Sequence, residues 1–245
     1  MVRVLHVITA RGGSKGIPGK NLLQLGGISL IGFKAISARK SRHCARLIIS
    51  SDSPAMQADA CHYGAEAPFT RPAALATDAA STEDVIWHAM QWVEAHDEAR
   101  YDAVMILEPS SPFATAADFD QAVDVFTSRR ANVVVSVCEV AVNSVFHGPM
   151  DDDGRIGSIV DKVRPLTSVR RQDMPQEYTM NGGLYLVGWD FFARHRRRYY
   201  DSDNTYGIVM DRVHSLEIDE PIDFTFAKCL VESGAIDLTP WNQDI

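Results

Sequence analysis

The stretch Val2-Arg-Val-Leu-His-Val-Ile-Thr-Ala-Arg-Gly-Gly-Ser-Lys-Gly-Ile-Pro-Gly-Lys-Asn21 decides the fold. Val2, Val4, Leu5, Val7 and Ile8 form a short, nearly continuous apolar run. That is the pattern of a strand buried on both faces. The loop over 10–21 then holds Gly12, Gly13, Gly16, Pro18 and Gly19, with Arg11, Lys15 and Lys20 set among them. Glycine lets the backbone approach a ligand and take positive φ. Successive backbone N–H groups can form an anion nest, and the three cations add the charge that a triphosphate needs. The loop is not a P-loop, which requires Ser or Thr after its lysine, and no GxGxxG dinucleotide fingerprint occurs.

Outward from this loop, the pattern predicts helices over 30–38, 54–63, 82–95, 116–128 and 222–231. Strands are predicted over 46–51, 103–107, 132–140, 183–187, 206–210 and 215–219. Alternating strands and helices imply βαβ units: an α/β fold with a mainly parallel sheet and helices on both faces. Such sheets bind ligands beyond the carboxyl ends of their strands, so the loops after Ile8, Ser51 and Leu107 are the places for chemistry. The rhythm breaks over 141–180, where an Asp151-Asp-Asp-Gly154 turn suggests a hairpin and a basic stretch follows. This segment is too short for a core of its own. It reads as an arm inserted into a single domain spanning 1–245.

The 245 residues suffice for one sizeable core. A net charge of −8 argues against a nucleic-acid partner. Cys44, Cys61, Cys138 and Cys229 form no CxxC pair, which points to reduced thiols in a cytoplasmic protein rather than a zinc site. No signal-peptide pattern opens the sequence, and no apolar run approaches the roughly 20 residues needed to span a bilayer, so no membrane partner is expected. The histidines show no HExxH or triad arrangement, and the Arg194-His-Arg-Arg-Arg198 run reads as a charged helix end.

Ala10-Arg-Gly-Gly-Ser-Lys-Gly-Ile-Pro-Gly-Lys-Asn21 strongly resembles the nucleotide-binding signature ARxGSKGIPxKN of the acylneuraminate cytidylyltransferases, the CMP-sialic acid synthetase family. Later motifs follow in the family's order along almost the whole chain. The resemblance implies a three-layer, Rossmann-like nucleotidyltransferase fold. It makes Arg11, Ser14, Lys15, Lys20 and Asn21 nucleotide contacts. Arg71-Pro72, Ala76-Thr77-Asp78 and Ser81 resemble the family's RP…L(A/S)xD…S stretch, which implies cytidine-side contacts at Arg71 and Ser81.

Leu107-Glu-Pro-Ser-Ser-Pro-Phe113 resembles the family's LLQPTSP, with Glu108 in place of the usual glutamine and Ala114 where many relatives carry arginine. An ionised carboxylate only accepts hydrogen bonds, so both departures bear on the sugar side. Val169-Arg-Arg-Gln-Asp-Met-Pro175 and Asn181-Gly-Gly-Leu-Tyr185 resemble RRQ…P and NGxxY. They imply a sugar-acid site of Glu108, Arg164, Arg170, Arg171, Gln172 and Asn181. There Arg171 clamps the C1 carboxylate through its planar fork.

Ser215-Leu-Glu-Ile-Asp-Glu-Pro221 resembles SxDIDxxxD. Glu217 and Asp219, two apart, would share one face of a strand and bind Mg²⁺, or Mn²⁺ in its place, by oxygen ligands. The resemblance also implies a homodimer whose 141–180 arms exchange. The expected reaction is in-line attack by the anomeric hydroxyl of a sialic-type acid on the α-phosphorus of CTP. Arg11, Lys20 and Arg171 would carry most of the catalysis by positioning and charge. Other readings are the same chemistry on legionaminic, pseudaminic, KDN or a related acid, a sugar-1-phosphate nucleotidyltransferase, and a non-enzymatic nucleotide sensor.

Overall fold

The computed structural model describes residues 2–13 and 16–242, the side chain of Arg171 excepted. Its strands are β1 (Val4–Thr9), the two-residue β2 (Gln24–Leu25) and β3 (Ile28–Ser29), β4 (Cys44–Ser50), β5 (Ala103–Leu107), β6 (Val133–Glu139), β7 (Tyr178–Gly188) and β8 (Thr205–Val209). The helices are α1 (Leu30–Lys40), α2 (Pro54–His62), α3 (Thr82–His96), α4 (Ala116–Arg129), α5 (Gly157–Val163), α6 (Trp189–His195) and α7 (Pro221–Glu232).

The main sheet has the order β4-β1-β5-β7-β6-β8. β1 runs parallel to β4 and β5, β6 runs parallel to β8, and β7 alone is antiparallel to its neighbours β5 and β6. The mainly parallel sheet is therefore as the strand–helix alternation predicts.

Period-two alternation along the strands divides the core into two layers. Val4, Ile8, Met105, Leu107 and Leu186 pack beneath Phe33 of α1 and Phe119 of α4. Leu5, Val7, Val104, Ile106 and Val187 pack beneath Ile86 and Met90 of α3 and Phe192 of α6. Helix starts follow local chemistry: the Ser29, Ser53, Ser81 and Thr115 side chains each accept a first-turn N–H and so satisfy an otherwise unpaired donor.

His6 lies between Val4 and Ile8 on the first layer, fully buried, its ring 5.9 Å from that of Phe119. Burial lowers its pKa from 6.5 to about 4, against a weaker opposing contact from the Val4 carbonyl. The folded protein thus keeps His6 neutral down to about pH 4, while the unfolded chain takes up the proton near 6.5. Stability held above pH 6.5 should fall by about 3 kcal/mol as the pH drops through that window. Urea unfolding of a His6→Leu variant should lack this acid limb; an unchanged limb would assign it to other groups.

Three sequence-based expectations are corrected. The 215–219 segment is not a strand. Its backbone groups bond elsewhere: Ile218 N–H donates to Ser110 O at 2.7 Å, and Asp219 and Glu220 N–H donate to Asp223 Oδ2 at 3.0 and 2.8 Å, which starts α7. No hairpin forms around Asp151; the turn closes on its own Asp151 carboxylate and leads into α5. β7 starts before the predicted 183, because β6 and β7 stay paired out to Glu139 and Tyr178. The arm leaves and re-enters the sheet at that pair. The charged run over 194–198 does close a helix, α6, whose start at Trp189 the sequence reading did not place.

Candidate active site

A cleft of about 580 Å³ opens at the carboxyl ends of β4, β1 and β5, as parallel-sheet geometry requires. It is lined by Arg11, Lys20, Asn21, Arg71, Glu108 and Asp219 among others. These six expected site residues come from four separate parts of the chain.

The cations are held by the protein itself. Arg11 lies just past β1; its guanidinium donates to Thr77 O at 3.0 Å and pairs with Asp78 at 2.8 Å. Lys20 heads a short 3-10 turn over Lys20–Leu22. Its Nζ donates to Ile218 O at 2.7 Å and to Asp219 Oδ1 at 2.9 Å. The lysine expected on phosphate and the carboxylate expected on metal therefore neutralise each other. Arg71 is 5% exposed. Its Nε donates to Ser50 Oγ at 3.1 Å and its Nη2 to Ser50 O. Burial lowers its pKa to about 10, with Asp52 opposing the shift, so it stays charged at neutral pH.

The glycine loop is fastened at both sides. Gly12 N–H donates to Asp52 Oδ1 at 2.9 Å, an anchor the sequence reading did not name. Gly16 packs so closely on the Asp219 carbonyl that a methyl group there would collide with it. Ser14 and Lys15 lie outside the described residues.

On the acid side, Ile218 is fully buried while Glu217 and Asp219 face outward on either side of it. Asp219 lines the cleft, while Glu217 lines a separate groove with Ser215 and Leu216. The Glu217 carboxyl is pushed above its ordinary pKa by burial first, then by the charges of Asp219 and Glu108. Among the described residues no cluster of three or more metal-ligating side chains forms.

Other expected site residues lie elsewhere. Ser81 does not line the cleft: its hydroxyl caps α3 and donates to Asp84 at 2.7 Å, while its neighbour Thr82 reaches the cleft. Asn181 is a buried strut, donating to Ser215 Oγ at 2.7 Å and accepting from Gly183 N–H at 3.1 Å. Next to it, Gly182 has φ +67°, and a side chain there would meet Ser111 Oγ, so the Asn-Gly-Gly motif is backbone geometry. On the arm, Arg164 pairs with Asp161 at 2.9 Å, Arg170 is exposed, and Gln172 lines a separate groove. Arg171 opens a 3-10 turn, and its side chain lies outside the description. Among the described residues, none from the arm lines the cleft.

Two residues near the site escaped the sequence reading. Arg198 reaches Glu108, and Lys34 is wholly buried beside the Asn-Gly-Gly backbone, donating to Gly183 O at 2.5 Å. Neither shows a local signal: a lysine in a helix and an arginine in a basic run both read as surface residues.

Fold and cleft together define an α/β protein built to hold a polyanion against carboxylates at the ends of parallel strands. The cytidylyltransferase family profile matches residues 5–144, more than half of the chain, and the protein belongs to that family. The chain is 29% identical over 234 residues to the CMP-N,N'-diacetyllegionaminic acid synthase of Legionella pneumophila, covering 94% of this chain and 97% of that protein. It is 30% identical over 226 residues to the N-acylneuraminate cytidylyltransferase of Escherichia coli, covering 92% of this chain and 51% of that protein. A solved CMP:2-keto-3-deoxy-manno-octonic acid synthetase in complex with CTP superposes with a TM-score of 0.65 at 15% identity, over 95% of this chain and 99% of that one; this likeness shows the shared fold.

Proposed function

We propose that the protein transfers CMP from CTP to the anomeric hydroxyl of a nonulosonic acid, releasing pyrophosphate. The observation that carries this reading is the single cleft in which Arg11, Lys20 and Arg71 face Glu108 and Asp219. Arg11 and Lys20 suit a triphosphate and its departing pyrophosphate, whose charge they would stabilise, with Arg71 on the cytidine side. Each cation is held in advance, by Thr77 and Asp78, by Asp219 and Ile218, or by Ser50. That preorganisation lowers the cost of ordering them around the substrate. Asn21, at the floor of the cleft, is placed to contact the nucleotide.

A divalent cation fits the acid side. Glu217 carries a raised pKa partly because Asp219 and Glu108 crowd it, and a cation relieves such crowding. Asp219 and Glu217 would hold Mg²⁺ or Mn²⁺. When bound, the ion would neutralise phosphate charge and acidify the attacking hydroxyl.

The reading includes a homodimer in the cytoplasm. Two features support the dimer. The arm exposes apolar side chains, among them Met150, Ile156, Val160 and Val169, and Arg164, Arg170 and Gln172 stand away from their own cleft, where a partner's cleft could use them. For the cytoplasm, the support is that all four cysteines are free thiols. No helix among the described residues is long and apolar enough to cross a membrane. Glu108 and the names of the relatives keep legionaminic, pseudaminic, KDN and related acids beside N-acetylneuraminate as acceptors.

Pyrophosphate release from CTP and Mg²⁺ with a panel of these acids, each beside a blank without acceptor, tests the proposal. Acceptor-dependent release is expected. Release only with sugar 1-phosphates, or CTP binding without turnover, would overturn it in favour of the other two readings.

A further inference from the structure

Helix α6 ends at Arg196, whose left-handed backbone (φ 53°) turns the chain back toward the sheet. Arg196 then lies over the Trp87 ring, its guanidinium carbon 3.0 Å from the centroid. Two residues on, Arg198 turns inward, and its side chain is only 13% exposed. The guanidinium packs beside a pair of rings, 4.3 Å from the Tyr185 centroid and 5.1 Å from that of Tyr199. Nη1 donates to Glu108 Oε1 at 3.0 Å. Nε lies 3.3 Å from Glu83 Oε1 without forming a hydrogen bond.

This is a built arrangement. Aromatic faces on a guanidinium stabilise its charge where water is excluded, and a charge-assisted hydrogen bond fixes the direction of the carboxylate it reaches. Glu108 lines the cleft. Among the described residues Arg198 alone donates to its side chain, and only to Oε1. Oε2 therefore remains for a ligand. Two carboxylates share one guanidinium here, so the group keeps a surplus negative charge. An ionised carboxylate accepts N–H and O–H donors but repels another carboxylate.

Resting on the proposed function, we infer that Arg198 is a specificity-positioning residue: it holds Glu108 as a fixed anionic wall that binds N–H or O–H donors on the acceptor's substituents. The same wall repels the acceptor's own carboxylate. The acceptor class is thus a sugar acid with an acylamino or hydroxyl donor on the edge opposite its carboxylate. Arg198 does not touch the reacting atoms; it acts through Glu108.

The test uses full-length protein and the acceptor panel, comparing wild type with Glu108→Gln, Arg198→Lys and the double variant Glu108→Gln/Arg198→Met. Each single variant should raise the KM for the preferred acceptor about tenfold and flatten the ranking of acceptors, leaving the CTP KM within about twofold. The double variant removes the Glu108–Arg198 pair together but leaves Glu83 without its cation, so it should recover only part of the Tm lost by the single variants, and none of the acceptor KM. An unchanged ranking, or CTP and acceptor KM rising together, overturns the inference while the proposed function stands. Wild-type protein inert on every acid overturns the proposed function, and this inference with it.

Discussion

Lys20→Ala should lower acceptor-dependent pyrophosphate release by about 10²–10³-fold at saturating substrates, the usual loss when one preorganised charge is removed from a developing anion. Two consequences of the substitution add. A cation is lost from the polyanion cleft, and the segment carrying Asp219 loses its tether, because Lys20 Nζ holds both the Ile218 carbonyl and the Asp219 carboxylate. The fold should hardly respond. The Asp219 side chain is 64% exposed, and such a pair contributes about 1 kcal/mol or less to stability. Thermal unfolding should thus stay within a few degrees of wild type while turnover collapses. Near-normal turnover would remove Lys20 from the phosphate site and leave the Lys20–Asp219 pair a local brace.

Lys34→Met should erase an alkaline rise in stability. Lys34 is fully buried in α1, and burial lowers its pKa from 10.5 to about 7, against the opposing charges of Glu108 and Asp118. Between those values the unfolded chain holds a proton that the folded chain has released. Raising the pH from 7 to 10 therefore favours the folded state by about 4 kcal/mol through this one group; below pH 7 the penalty is constant. Relative to wild type, the variant should be most favoured near pH 7 and lose about that amount by pH 10. Its lost hydrogen bond to Gly183 O offsets part of the gain at every pH. Urea unfolding of both proteins at pH 7, 8, 9 and 10 cancels the tyrosines they share. A difference independent of pH would mean that Lys34 keeps its charge in the fold.

Both predictions concern residues that the linear sequence presents differently. Lys20 was legible because glycines, a proline and cations crowd one loop behind an apolar strand, a composition with few purposes besides holding an anion. Lys34 was not legible. Its neighbours Phe33, Ala35 and Ile36 mark a buried helix, but only packing shows that the helix is enclosed on all sides, lysine included. Arg198 failed for a related reason. It belongs to a basic run, and only the turn at Arg196 sends it inward while Arg194 stays outside.

Local sequence by itself determined most of the strand–helix alternation, the serine and threonine caps, the glycine loop and the two-apart spacing of Glu217 and Asp219. These depend on side-chain period, backbone freedom and hydrogen bonds spanning a few residues, all of which near neighbours decide. Tertiary structure alone decided that β7 runs against the sheet and that Asn181 braces the scaffold. It alone paired Lys20 with Asp219, 199 positions apart, and Arg198 with Glu108, 90 apart. Burial and long-range charge pairing are set by what the folded chain brings into contact, and no local pattern encodes which distant group will arrive.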